Sequence, residues 1–164
     1  IINSGGAHFE INLMNRAAYP KINFLSTENS FSINKGSLRS LIKQTAFAAS
    51  LENSRPILKG VLFDIGDGEV NAVALDGYRL ARVKKSINTN IKKSIVVPAR
   101  SLSELSKLID DTDEIINIYV DQYTIMVDLG DTKVTSRLLE GDYINYKQII
   151  PIAASPIKRL SRGY

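Results

Sequence analysis

Side chains able to carry covalent chemistry are few in this chain, and their surroundings do not complete a site. The single histidine, His8, lies in the short strand-like stretch 7–13, where a paired or solvent-facing role accounts for it. Ser40 and Lys43 stand in the order S-x-x-K, which sets serine beside lysine on one helix face in acyl-transfer enzymes, but no S-D-N or K-T-G partner accompanies them. Asp110-Asp111-Thr112-Asp113-Glu114 gathers carboxylates without the glycine and spacing of a calcium loop, and reads as a solvated helix end. Gly66-Asp67-Gly68 would cradle a phosphate only in front of a helix, and a strand pattern follows it instead. The absence of cysteine excludes a disulfide framework, a thiolate nucleophile and Cys-ligated zinc. No catalytic residue, metal ligand or cofactor is therefore expected, and the residues left to explain are suited to binding.

One such group is basic. The chain has a net charge of +4 and a pI near 9.3. Lys35, Arg39, Lys43, Arg55 and Lys59 form a run broken only by Glu52, and the stretch from Arg79 to Lys107 holds eight cations and only Glu104. Residues 110–142 are instead rich in Asp and Glu, with only Lys133 and Arg137 against them. Such segregation makes a positive face, for which a polyanion such as DNA is the usual partner, although a solvated face without a ligand fits the pattern too. Arg39 and Lys43 are i,i+4 neighbours, and Arg100, Ser103 and Lys107 share one side of a second helix. Two basic helices facing the same way can rest on phosphates without reading bases.

The other group is apolar with a polar rim. Leu58, Leu75 and Leu80 are placed to converge at one end of a sheet, rimmed by Arg55, Tyr78 and Arg79, with Asp76-Gly77 breaking the chain between two strands. An ordinary Asp-Gly hairpin with core leucines has the same pattern.

The elements that must position these residues follow from periodicity. Phe31-Ser32-Ile33 begins a strand and Asn34 can cap a helix, in which Leu38, Leu41, Ile42, Thr45 and Ala49 recur at helical spacing up to about Ser50. Strands are predicted over 57–65, 69–75 and 78–85, the first two joined by Gly66-Asp67-Gly68. The order then repeats: a strand at 94–97, a helix entered at Pro98 with core positions Leu102, Leu105, Leu108 and Ile109, and strands near 114–120, 123–129 and 132–138. Ser101 and Glu104 have the spacing of a capping box, while Pro98 places the start earlier. The expectation is an α+β fold: a duplicated β-α-β-β-β unit with two adjacent helices packed on antiparallel sheets. No apolar run approaches the length of a membrane span and no signal-peptide pattern opens the chain. The chain starts Ile1-Ile2 without methionine and reads as a piece of something longer, with a linker at Ser26–Ser30.

Four stretches carry a family resemblance. R-P-I-L-K-G-V-L-F (55–63) and L-D-G-Y-R-L-A (75–81) resemble the middle domain of the bacterial DNA polymerase III β subunit, the sliding clamp. S-G-G-A-H-F-E-I-N (4–12) followed by Y-P (19–20) resembles the closing strand of that clamp's first domain and the run into its second. Residues 136–151, S-R-L-L-E-G-D-Y-I-N-Y-K-Q-I-I-P, resemble the family's S-(K/R)-L-(V/I)-(D/E)-G-x-(F/Y)-P-D-Y-(R/K)-x-(V/I)-(I/L)-P, with Ile144 in the place of proline and Asn145 in that of aspartate. Leu75 stands where threonine is common and Tyr78 where histidine is often found; Glu52 takes the place of a polar DNA-facing residue.

The resemblance implies the DNA-clamp fold, with 1–24 as the exit of the preceding clamp domain, 25–151 as the middle domain, and 152–164 as the start of a third domain or a tail. It implies a pocket for partner peptides lined by Leu58, Leu75, Gly77, Leu80, Ile144 and Ile149 and rimmed by Arg55, Tyr78, Arg79 and Gln148. It also implies that Arg39, Lys43, Arg100 and Lys107 face duplex DNA without reading its sequence. The whole family protein is a cytoplasmic, non-catalytic homodimeric ring, and the polymerase catalytic subunit, the clamp loader and repair proteins dock on it through short linear motifs. This chain alone is not expected to close a ring. A free-standing protein-interaction module of clamp-like fold, without a DNA role, is the alternative.

Overall fold

A computed structural model of the chain describes residues 1–15 and 29–150. The expected run into the middle domain over 16–24, most of the linker, and the segment 152–164 lie outside the described residues. Residues 1–15 hold a small antiparallel hairpin, β1 (Ile2–Ser4) and β2 (Ala7–Phe9), turned at Gly5 with φ +57°. The strand expected over 7–13 thus ends at Phe9.

The main body opens with β3 (Ser30–Asn34) and α1 (Lys35–Thr45), then β4 (Gly60–Gly66), β5 (Glu69–Leu75) and β6 (Leu80–Ser86). The same succession follows as β7 (Lys93–Pro98), α2 (Ala99–Leu108), β8 (Ile115–Val120), β9 (Thr124–Asp128) and β10 (Lys133–Arg137), and a one-turn helix, α3 (Tyr146–Ile149), ends the described chain. The duplicated β-α-β-β-β unit is therefore present. The two units also exchange their first strands. One sheet runs β10-β9-β8-β3 and the other β6-β5-β4-β7, every pairing being antiparallel. Two further links join the sheets at their margins: a bridge between Ser32 and Asn88, and the Leu139 amide donating to the Val96 carbonyl at 2.8 Å.

Local chemistry explains the boundaries. Asn34 caps α1, its Oδ1 accepting from the Ser37 amide at 2.7 Å. The helix closes at Thr45 rather than near Ser50, and 46–48 tighten into a 3-10 turn. Buried Thr45 returns its hydroxyl to the Leu41 carbonyl at 2.6 Å. Pro98 sits at the N-cap of α2, so the helix begins at Ala99 and Ser101 falls inside it instead of capping it. Residues 56–59 form a second 3-10 turn, which takes 57–59 out of the strand expected over 57–65: Pro56 fixes φ at its start, and the Leu58 amide donates to the Arg55 carbonyl at 3.0 Å. Asp67 and Gly68 both take positive φ (53° and 76°), the two-residue turn whose twist suits a β-hairpin.

The alternation along each strand sorts the core. Val61, Phe63 and Ile65 of β4, with Val70, Ala72 and Ala74 of β5, point toward the helices and join Leu38, Leu41, Ile42, Leu102, Leu105 and Ile109 in one cluster. Leu108, expected in that stripe, is 57% exposed because the inward positions of α2 are 102 and 105, with Ile109 just past its end. The opposite face of the β6-β5-β4-β7 sheet carries Leu62, Val73 and Val96, covered by Leu139, Tyr143, Tyr146 and Ile150. That second, smaller core is where the site forms.

Candidate functional site

Leu75 ends β5 and Leu80 opens β6, and the two are direct cross-strand partners on the sheet face turned away from the helices. The loop between them is organised by Asp76. Its Oδ1 accepts the amides of Tyr78 and Arg79, both at 3.0 Å, and its Oδ2 accepts from Arg79 Nε at 2.8 Å. These bonds, led by the two backbone amides, hold the Asp76 carboxyl below its ordinary pKa. Gly77 passes through φ +98°, a conformation that strongly favours glycine. The loop so held projects Tyr78 outward at 98% exposure and lays Arg79 5.9 Å from the centre of the Phe47 ring.

Leu75, Gly77, Tyr78, Arg79, Leu80 and Ile149 together line a cleft of about 130 Å³. Pockets for whole small molecules run to about 300–1,000 Å³, so this cleft suits an inserted side chain. Six of the ten residues expected in a peptide pocket are thus brought together. Leu58 is buried on the 3-10 turn and Arg55 is exposed at the head of that turn, neither lining the cleft. Gln148 is exposed on α3. Ile144 lines a separate cleft of about 370 Å³ with Leu62, Val96 and Tyr143.

Ile149 reaches the cleft because residues 139–150 double back over the sheet as a strap. Tyr143 donates its hydroxyl to the carbonyls of Gly60 and Val73, each at 3.4 Å. Gly60 is needed beneath it: a Cβ there would come within 2.4 Å of Val96 Cγ1 and 2.9 Å of Leu139 Cδ1. Tyr146, 3% exposed, donates to Asp64 Oδ2 at 2.9 Å. Ser94 Oγ donates to the other carboxylate oxygen at 2.9 Å, and Lys147 Nζ lies 3.3 Å from Oδ2. Burial opposes ionisation of Asp64, but the hydrogen bonds from Ser94, Tyr146 and Lys147 outweigh it and keep the carboxyl below its usual range. Burial pushes the Tyr143 and Tyr146 hydroxyls up to about 12, with Asp64 adding to the effect at Tyr146. Two cations lie near the ring of Tyr146, Arg82 at 5.8 Å and Lys147 at 5.7 Å from its centre.

The four basic residues expected to face DNA lie on two helices that pack side by side. Their electrostatic settings differ. Arg39 is half-buried, 4.0 Å from Asp111, with its Nε enclosed and unpartnered. Lys107 reaches both carboxylate oxygens of Glu104 at 2.8 Å. Lys43 and Arg100 are exposed, and among the described residues neither forms an ion pair within 4 Å. The acidic stretch at 110–114 seats on the first turn of α1, where Lys35 meets Glu114 at 2.6 Å and the Gly36 amide donates to the Thr112 carbonyl at 2.8 Å.

Two contributors were missing from the sequence reading. Asp76 read only as a strand breaker, though its D-x-x-R spacing to Arg79 is the signal for a carboxylate that holds its own loop. Asp64, a lone charge in an otherwise apolar strand, signalled a buried polar partner, but nothing in the sequence named Tyr146 as that partner.

The comparisons with known proteins agree with this fold. Residues 32–145 match the family described as DNA polymerase III beta subunit, central domain. The beta sliding clamp of Halalkalibacterium halodurans is 36% identical over 154 residues, covering 92% of this chain and 40% of its own length. That of Bacillus subtilis is 34% identical over 153 residues, with the same coverage. The crystal structure of a sliding clamp from B. subtilis superposes with a TM-score of 0.84 at 32% identity, over 92% of this chain and 40% of that one. A Pseudomonas aeruginosa sliding clamp solved bound to griselimycin matches at 28% identity and a TM-score of 0.77, over 85% of this chain and 38% of that one. The chain thus spans about two fifths of the length of these relatives.

Proposed function

This chain belongs to the DNA polymerase III beta subunit family, and from that premise we propose that it is the central part of a sliding clamp. In this reading the whole protein is a cytoplasmic processivity factor that surrounds duplex DNA and docks the polymerase catalytic subunit, clamp loader and repair proteins through short peptides. The observation that carries the docking half is the convergence of Leu75, Gly77, Tyr78, Arg79, Leu80 and Ile149 on one cleft, an apolar floor with an exposed aromatic and a cation at its rim. Among the described residues no helix is long and apolar enough to cross a membrane. A peptide inserts an apolar side chain beside Leu75 and Leu80, and its backbone and polar residues meet Tyr78 and Arg79. Leu58 is buried on the 3-10 turn that leads into β4, while Arg55, Ile144 and Gln148 stand outside the cleft, available to a longer peptide.

Toward DNA, Lys43 and Arg100 carry most of the accessible charge, with Arg39 and Lys107 moderated by Asp111 and Glu104. Such contacts are sequence-independent and weaken steeply with salt. Retention of the full-length protein on circular compared with linearised DNA tests the reading. Retention on the circle, reduced when Arg39, Lys43, Arg100 and Lys107 are all changed to Glu, is the expected result. Equal release from both DNA forms, or a four-residue variant held as well as the wild type, would overturn it.

A further inference from the structure

Arg79 lines two recesses, the 130 Å³ cleft and a larger one of about 420 Å³ between the 3-10 exit of α1 and the first turn of α2. The larger recess has a composition the docking site lacks. Lys59, Arg79 and Arg100 line it, and no carboxylate does. Of these cations Arg79 alone is ion-paired among the described residues, to Asp76 at 2.8 Å; Lys59 donates to the neutral amide oxygen of Asn53. The neighbouring Glu104 has both its oxygens taken by Lys107. Two apolar side chains stand open at the same place, Phe47 at 60% and Leu51 at 92% exposure.

We infer that this recess receives the acidic flank of the same peptide whose apolar anchor occupies the first cleft, with an Asp or Glu meeting Lys59 and Arg100 and an adjacent apolar residue covering Phe47. The inference rests on the docking reading above. Charge complementarity carries it: cations without a lining acid favour an anionic occupant, and the exposed apolar pair favours one that also brings apolar surface. A duplex backbone offers phosphates but nothing to cover Phe47 and Leu51. Continuity through Arg79 lets one extended segment use both recesses.

The test uses the full-length protein and three synthetic peptides: a core of glutamine, leucines and an aromatic, and the same core with two Asp residues added at either end. One acidic flank is expected to tighten binding about three- to tenfold, a gain that shrinks as salt rises. Lys59→Glu should abolish that gain and Ser103→Glu reduce it, while each variant binds the core peptide as the wild type does. The inference is overturned if neither flank improves binding, or if the gain survives Lys59→Glu. A Lys59→Glu variant that loses retention on circular DNA but keeps the gain also overturns it, by giving the recess to DNA. If the core peptide itself does not bind, the docking reading fails and takes this inference with it; if the core binds and the flanks add nothing, only the inference fails.

Discussion

Tyr146→Phe removes a single hydroxyl from the strap and should destabilise the chain. The ring, 3% exposed and flanked by Arg82 and Lys147, keeps its packing, so the change isolates the 2.9 Å bond to Asp64. A hydrogen bond to a charged acceptor contributes about 1.5–3 kcal/mol. The Asp64 side chain is 26% exposed and keeps Ser94 and Lys147, so water replaces part of the loss and about 1–2 kcal/mol is expected. For a chain of this size that is a fall in Tm of roughly 2–8 °C. Urea denaturation of the variant and of wild type would measure it, and the double variant Tyr146→Phe/Asp64→Asn should lose less stability than the sum of the two single losses. Because the strap carries Ile149 to the cleft, peptide affinity should fall as well. Stability within about 0.3 kcal/mol of wild type would refute the reasoning that this bond pins the strap.

Two further outcomes follow from the same site. The Tyr143 and Tyr146 hydroxyls ionise near 12 when folded against an ordinary 10.0, so the folded state favours their neutral forms; the stability they confer is whole below about pH 10 and is lost as pH rises toward 12. Urea melts at about pH 9 and 11 should show that decline, and the double variant Tyr143→Phe/Tyr146→Phe should show much less of it. Asp76→Ala releases the Tyr78 and Arg79 amides and the Arg79 guanidinium; peptide affinity should drop about five- to thirtyfold with global stability changed by less than about 1 kcal/mol, measured by calorimetry and melting together.

The parts of this fold legible in the sequence are those fixed by neighbours in the chain. Gly66-Asp67-Gly68 and the alternation on either side of it define the β4–β5 hairpin, and Asn34 and Pro98 mark where the helices begin. Leu75 and Leu80 meet because a tight loop makes them cross-strand partners. What was not legible depends on distant contacts. Nothing local says that β3 pairs with β8 or β7 with β4, since a strand's own pattern does not name its neighbour. The pairing of Arg39 with Asp111 requires the 110–114 stretch to fold back onto α1, and the seating of Ile149 requires the strap to find Asp64. Leu58 left its expected strand because Pro56 starts a 3-10 turn, which keeps it buried but off the cleft wall.

Direct titration of the full-length protein with a peptide bearing glutamine, leucines and an aromatic tests the central claim most plainly. Wild type should bind, and Leu80→Ala should weaken binding by about 1–3 kcal/mol while the variant still unfolds cooperatively, at a somewhat lower temperature because Leu80 packs on the second core. A Leu80→Ala variant that titrates as wild type does would show that the cleft between β5 and β6 is not where partners dock.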